Sequence, residues 1–202
     1  TLALTAASTT FSGLSEYTTY WMTVRGYNGD TIATTYTNIV SSRTLLNPPT
    51  GFVSIVLSTG SIKWNWYDNS VSESGYQIKA SAGGNYGAAL DIDATYYFHT
   101  NLTANTRYSG YVIASGSGND VSLASNATGW YTLAQSPSGL DIGAGGVYKS
   151  SVTLIWANTN ATRYEIEKSS DEYFSIDVTT ISLIGQTTTF NGLSSYTNFW
   201  FK

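Results

Sequence analysis

The 202-residue chain contains no cysteine and only one histidine, His99. The absence of cysteine excludes a disulfide framework and a thiolate metal site. A histidine-based catalytic triad would need His99, which follows Phe98 in a run that predicts a strand, and no Gly-x-Ser-x-Gly turn supplies an activated serine. We therefore interpret His99 as a half-exposed strand histidine and predict that the protein is not an enzyme.

Charge is also scarce, because only 11% of residues are charged and the net charge is −4. This acidic balance argues against a nucleic-acid partner. No apolar run reaches the roughly 18 residues of a membrane helix, so we expect no membrane span. The hydrophobic content of 42% and the aromatic content of 14% are nevertheless ample for packed cores.

The carboxylates form no obvious site. Asp91 and Asp93 lie two residues apart and would share one face of a strand, as a glycosidase pair or a calcium site might require. Neither EF-hand spacing nor a supporting ligand cluster accompanies them. Asp171 and Glu172 fall in a predicted loop, where solvated charges are common. The glycine clusters lack the lysine-serine ending of a phosphate loop and predict turns. We therefore predict no catalytic residue, no cofactor and no metal site.

A repeated pattern organises the chain. Residues 9–21 recur almost unchanged as residues 188–200, and a more divergent copy occupies residues 95–108. The aligned leucines Leu14, Leu102 and Leu193 lie about 90 residues apart, a period that indicates a domain rather than a coil of a solenoid. The protein is therefore predicted to be an array of related domains.

Local patterns favour β-strands throughout. Ile62, Trp64 and Trp66 alternate with polar residues, which places them on one face of an extended chain. Similar alternation recurs at residues 76–80, 151–156 and 164–168. Glycine- and asparagine-rich turns separate these runs, and no long segment has helical periodicity. Short strands divided by turns are typical of an antiparallel sandwich.

The middle repeat resembles a fibronectin type III domain, an immunoglobulin-like β-sandwich. The first strand is led by Pro48 and Pro49, Trp66 closes the second strand and Tyr76 opens the third. Tyr108 then follows Leu102 by six residues, with Val112 and Ala114 after it. In that family, the tyrosine forms a tyrosine corner. The resemblance places Tyr20, Tyr108 and Phe199 at this position, and Phe199 lacks the hydroxyl.

The resemblance implies an all-β chain of tandem sandwiches whose terminal units are incomplete. Segment 1–46 corresponds to the C-terminal half of a unit with its last three strands, segment 47–134 to a complete unit, and segment 135–202 to the N-terminal part of a third. The chain starts at Thr1 without a methionine or a signal peptide, so we expect it to be processed or excised. Unfinished sandwiches expose apolar faces and strand edges.

Two hypotheses explain how those faces are covered. In the first, the chain is a portion of a long tandem array. In the second, segment 1–46 of one molecule completes segment 135–202 of the next by strand addition, which would propagate a head-to-tail filament. The duplication of residues 9–21 and 188–200 argues against the second, because the two copies encode the same strand.

Several aromatic residues are candidates for interfaces. Trp21 and Trp200 immediately follow tyrosine-corner positions and are expected to point outwards or into a contact between units, since strand side chains alternate. Large exposed rings that recur at one repeat position suggest a contact surface. We therefore predict an inter-unit or inter-chain interface that includes Trp21, Trp200, Tyr17 and Tyr196. Three Asn-x-Thr sequons, at Asn101, Asn126 and Asn160, can accept glycans sterically.

Taken together, these features predict a non-enzymatic extracellular or cell-surface structural protein, a segment or subunit of a filament, sheath or stalk. Its expected partners are copies of itself or further repeats of the same chain. The alternative is a spacer or carbohydrate-binding accessory region of a large secreted polysaccharide-degrading enzyme or adhesin, with a polysaccharide as partner.

Overall fold

The computed structural model describes residues 7–202, so the first six residues of segment 1–46 lie outside the described residues. This part of the chain contains fourteen strands and no helix, which confirms the predicted all-β class. The strands are β1 Thr19–Met22, β2 Val40–Arg43, β3 Thr50–Ser58, β4 Ser61–Tyr67, β5 Gly75–Ala80, β6 Tyr96–His99, β7 Arg107–Ser115, β8 Thr128–Tyr131, β9 Asp141–Val147, β10 Ser151–Ile155, β11 Tyr164–Ser169, β12 Thr179–Leu183, β13 Thr187–Asn191 and β14 Trp200–Phe201.

The strands form three-stranded sheets in segments 47–134 and 135–202. In the middle segment the sheet orders are β3-β4-β6 and β5-β7-β8, and in the last they are β13-β10-β9 and β12-β11-β14. The residue-by-residue pairings, such as Ile62 with His99 and Ile78 with Val112, are antiparallel. Two such sheets with side chains alternating between faces give the arrangement of a β-sandwich.

The core of the middle segment follows the predicted alternation in β4. Ile62, Trp64 and Trp66 are buried, whereas the residues between them are not. The ring of Phe52 in β3 stacks on Trp64, with centroids 5.2 Å apart and planes 3° from parallel. Tyr76 from β5 completes the cluster against Trp66, with ring centroids 5.7 Å apart. Aromatic burial of this kind is the main source of stability of such a small sandwich.

Segment 135–202 has its own smaller core, formed by Leu154, Trp156, Tyr164 and Ile166. Phe190 of β13 and Phe201 of β14 pack against this cluster, and their ring centroids lie 5.1 Å apart. The alternation that predicted β10 and β11 therefore places the expected side chains inside.

Segment 1–46 differs from its prediction. Three strands were expected, but the described residues form one two-stranded sheet, in which β1 pairs with β2. Residues 8–12, the copy of β13, form no strand. The physical reason is that an extended segment needs a partner for its backbone hydrogen bonds, and none of the described strands pairs with this one.

The chain divides into two compact units. The first comprises Thr1–Val56, Ile62–Thr100 and Arg107–Trp130, and the second comprises Leu57–Ser61, Asn101–Thr106 and Tyr131–Lys202. Among residues 7–202, no helix is long and apolar enough to cross a membrane.

Candidate functional site

The first candidate surface is the joint between segments 1–46 and 47–134, which lies within the first compact unit. The Glu16 carboxylate accepts the backbone N–H groups of Val71 at 2.6 Å and Asn47 at 2.7 Å, and the Ser70 hydroxyl at 3.2 Å. Burial raises the pKa of Glu16, but these hydrogen bonds to the charged form outweigh it and lower the pKa. Glu16 is therefore held as a carboxylate that ties the two segments together.

Tyr17 extends the same joint. Its hydroxyl accepts the backbone N–H of Ser117 at 2.8 Å and lies 3.2 Å from a carboxylate oxygen of Asp120. Arg43 binds Asp120 at 2.8 Å and places its guanidinium 4.7 Å from the centroid of the Tyr17 ring. A side chain at Gly116 would begin 2.6 Å from the Tyr17 oxygen, so the Tyr17 ring would have to shift to accommodate it.

The second candidate surface is an apolar groove on segment 1–46. Trp21 is 70% exposed beside this groove, which has a volume of about 310 Å³. The lining residues come from β1, β2 and the residues that flank them: Phe11, Leu14, Tyr20, Trp21, Met22, Ser42, Arg43 and Thr44. A largely apolar concave surface of this size is a candidate contact site.

The assignment of Tyr20, Tyr108 and Phe199 to tyrosine-corner positions stays a prediction. The Tyr20 hydroxyl accepts the backbone N–H of Ser15 at 3.0 Å, the local return contact that such a corner requires. The Tyr108 ring meets His99 edge-on at 5.5 Å between centroids. Phe199 is half-buried and lies under the Lys168 ammonium at 5.0 Å.

The other predicted interface residues differ from Trp21 in exposure. Trp200 was expected to point outwards or into a contact between units, and it is half-buried in β14, where it pairs with Ser169 of β11. Tyr196 is fully exposed and adopts a positive φ of 57°. The two copies of the repeat therefore present different surfaces.

The three sequon asparagines are all exposed, but their amides differ. The Asn126 amide pairs with the backbone of Phe52, donating to its carbonyl at 2.8 Å and accepting its N–H at 3.0 Å. A glycan on that nitrogen would replace one of these hydrogen bonds. Asn101 and Asn160 lie in exposed turns with φ near 59° and 57°. Glycosylation at Asn101 and Asn160 stays a prediction, and Asn126 is engaged in holding β3.

The isolated polar residues fall in different places. His99 lies half-buried at the end of β6, where burial lowers its pKa.

The prediction that Asp91 and Asp93 share a strand face is wrong, because both lie in the connection between β5 and β6. Asp171 was interpreted as a solvated charge, but it organises its loop by accepting the N–H groups of Tyr173, Ser175 and Ile176 at 2.9, 2.9 and 2.6 Å.

The sequence interpretation missed the role of Glu16. A signal was present, because the two near-identical repeats read Ser15-Glu16-Tyr17 and Ser194-Ser195-Tyr196, so one copy carries a charge where the other carries a hydroxyl. Its partners lie 31 and 55 residues away in sequence, and only the folded chain shows them.

The sequence matches no protein-family model and no curated protein. Among solved structures, the chain is similar to a two-domain fibronectin type III segment of chicken tenascin, with 15% identity, 76% of this chain and 87% of that chain covered, and a TM-score of 0.51. It also aligns with the FN1–FN3 domains of chicken CNTN1, with 14% identity and a TM-score of 0.39. The alignment covers 93% of this chain and 72% of that chain. The tenascin similarity confirms the predicted fold: the chain is built from tandem fibronectin type III-like β-sandwiches.

Proposed function

We propose that this chain is a non-enzymatic structural segment of an extracellular filament, sheath or stalk, in which neighbouring β-sandwich repeats of the same protein cover the apolar faces left open here. The observation that carries the proposal is the contrast between Phe11 and Phe190. The two residues occupy the same position in near-identical repeats. Phe190 packs in a core, whereas Phe11 is 51% exposed.

The pairing of β13 indicates what segment 1–46 lacks. In segment 135–202, Phe190 lies opposite Val152 and Thr189 lies opposite Thr153 in β10. Their counterparts, Phe11 and Thr10, have the same side chains, but no strand formed by residues 7–202 pairs with them. A strand with the pattern of β10 would supply both the missing backbone hydrogen bonds and a cover for the Phe11 ring.

The apolar groove beside Trp21 supports the same occupant. In β-sandwich folds, the face of one sheet is buried against a second sheet about 10 Å away. The sheet formed by β1 and β2 has no such partner among the described residues. The occupant that fits is therefore the complementary sheet of another repeat, with strands equivalent to β9 and β10, rather than a small ligand.

A mechanical role is consistent with the joint at Glu16 and Tyr17. Charge-assisted hydrogen bonds and the Arg43–Asp120 pair connect segments 1–46 and 47–134 at several points, which resists bending at that joint. The scarcity of charge and the serine- and threonine-rich composition suit a spacer whose function depends on length and stiffness.

Electron microscopy of the native material tests this proposal. We expect fibres or stalks whose axial repeat equals one or two β-sandwich lengths, because each repeat covers its neighbour. Isolated globular particles without any longitudinal association would contradict a structural role.

A second candidate function is carbohydrate binding as an accessory region of a secreted enzyme or adhesin. It is favoured by Trp130 in β8, which is 60% exposed and offers a flat ring on which a sugar can stack. Sedimentation of the protein with insoluble polysaccharide tests it. Retention that is lost in Trp130→Ala would support sugar binding, and no retention would remove this candidate.

A further inference from the structure

Three carboxylates that are distant in sequence meet at one end of the middle segment. Asp68 follows β4, Glu73 precedes β5, and Asp93 lies in the connection between β5 and β6. One oxygen from each carboxylate lies within 4.8 Å of the others. Like charges at this separation repel, so the arrangement needs a compensating partner.

Backbone geometry holds the three residues together. Tyr76 and Leu90 exchange two backbone hydrogen bonds, at 3.1 and 2.7 Å, which join the start of β5 to the connection that carries Asp93. Gly75 adopts a φ of 153°, and a side chain there would collide with the Leu90 carbonyl oxygen. Glycine at this position therefore permits the close approach that creates the acidic cluster.

Glu73 provides an independent indication of a ligand. It is only 4% exposed. Its Oε1 atom accepts the N–H of Asp93 at 3.3 Å, but its Oε2 atom is buried and has no hydrogen-bond partner within the described chain. The ion pairs among residues 7–202 involve Asp120, Glu165 and Glu167 instead. A buried carboxylate oxygen without a partner is costly, and a bound cation would satisfy it.

Two hydrogen bonds hold the Asp68 carboxylate in place. Its Oδ1 atom accepts both the Ser70 N–H at 2.9 Å and the Tyr76 hydroxyl. Together these two hydrogen bonds fix the orientation of the Asp68 carboxylate within the cluster.

We propose that Asp68, Glu73 and Asp93 form a calcium-binding site. Oxygen ligands lie 2.3–2.6 Å from Ca²⁺, so two ligands of one ion are separated by at most about 5 Å, which fits the cluster. The chain has no cysteine, and its single histidine is not part of the cluster, so the donor set disfavours zinc. Asp93 is exposed and leaves room for the water molecules that complete calcium coordination.

The site would act on the joint between segments 1–46 and 47–134. The loop from Asp68 to Glu73 also carries Ser70 and Val71, which bind Glu16. Calcium held at both ends of this loop would restrict its motion and so stiffen the joint. This inference stands on the cluster itself and does not depend on the proposed filament.

Calorimetric titration of the chelator-treated, full 202-residue chain with CaCl₂ tests the proposal. We expect one ion per chain with a dissociation constant of about 0.1–1 mM, the range of extracellular modules, and weaker binding of Mg²⁺. Glu73→Gln should raise that constant at least ~10-fold, because it removes the buried charge while keeping the shape. Terbium offers a second readout, since Tyr76 lies against Asp68 and can sensitise its luminescence.

The matched control is Asp91→Asn, which removes the same charge two residues from Asp93 but outside the cluster. It should leave calcium binding within about twofold of the unmodified chain. If circular dichroism shows that Glu73→Gln folds poorly, Asp93→Asn provides the test, because Asp93 is exposed. This variant should also weaken calcium binding. Three results would overturn the assignment. They are the absence of calcium binding at a Ca²⁺ concentration 10-fold above the expected dissociation constant, an equal dissociation constant for Mg²⁺, and an equal loss of calcium affinity in Asp91→Asn.

Discussion

The Glu16 carboxylate binds the backbone N–H of Val71 at 2.6 Å across 55 residues of sequence. Together with the bond to Asn47, this contact fixes the short connection between β2 and β3 against the loop between β4 and β5. A single side chain therefore couples segment 1–46 to the middle sandwich. The coupling can be changed without touching either core.

Replacing Glu16 with glutamine should loosen this joint. The variant keeps the shape but loses the charge that strengthens its hydrogen bonds, so we expect a cost of about 1 kcal/mol. Hydrogen exchange at the Val71 amide should accelerate about fivefold, which is the same free energy expressed as a rate. Glu172→Gln, in an exposed loop of segment 135–202, is the matched control and should leave this exchange unchanged. Equal protection of Val71 in both variants would contradict the role of Glu16.

Acid should open the same joint. The folded pKa of Glu16 is lowered from its ordinary value of 4.5, so the unfolded carboxyl protonates first as the pH falls. The stability that Glu16 contributes is therefore complete above about pH 4.5 and is lost as the pH falls through the folded pKa. The NMR shift of the Val71 amide should report this step. The step should disappear in Glu16→Gln, and its persistence in that variant would assign it to another group.

Asn126 should act as a structural clamp on β3. Its amide forms two hydrogen bonds with the backbone of Phe52, so Asn126→Ala should reduce the free energy of unfolding by about 1–2 kcal/mol in a urea titration. Asn160→Gly, which alters another exposed sequon asparagine and leaves its φ of 57° unstrained, is the control and should cost little. A smaller loss for Asn126→Ala than for Asn160→Gly would contradict the clamp.

Glycan occupancy should differ between Asn126 and the other two sequon asparagines. In material from a glycosylating host, we expect glycans on Asn101 and Asn160 and none on Asn126, because the Asn126 nitrogen is already bonded to Phe52. Intact mass and peptide mapping measure occupancy directly. A glycan at Asn126 in a correctly folded chain would show that this hydrogen bond is dispensable.

The sandwich itself was accessible from the sequence because its signals are local. Alternation in a strand follows from the two-residue period of extended backbone, so Ile62, Trp64 and Trp66 could be placed in a core from their spacing alone. The same reasoning failed for Asp91 and Asp93, since two residues of alternation do not make a strand when a turn intervenes.

Contacts between distant segments could not be predicted in this way. The acidic cluster depends on the approach of Gly75 to Leu90, and nothing in the spacing of Asp68, Glu73 and Asp93 reveals it. The run Asp68-Asn69-Ser70 followed by Glu73 gave a weak hint, because two acidic residues flank one loop. The exposure of Trp21 and the partial burial of Trp200 likewise could not be distinguished from the sequence, because both residues occupy the same position in the repeat.

Trp21→Ser should weaken association between repeats without unfolding the middle sandwich. The ring is 70% exposed beside the apolar groove, and a buried tryptophan at an interface commonly contributes about 2 kcal/mol or more. Trp130→Ser is the matched control, because Trp130 is similarly exposed but lies in β8, away from the groove. Equal association of both variants, measured by light scattering, would remove Trp21 from the interface.

Sedimentation velocity of the full chain over a wide range of concentrations tests the central claim most directly. If neighbouring β-sandwich repeats cover the face that contains Phe11 and Trp21, the sedimentation coefficient should rise with concentration, and less so in Trp21→Ser. A single monomeric species at every concentration, with Trp21 fully accessible to a collisional quencher, would contradict the account.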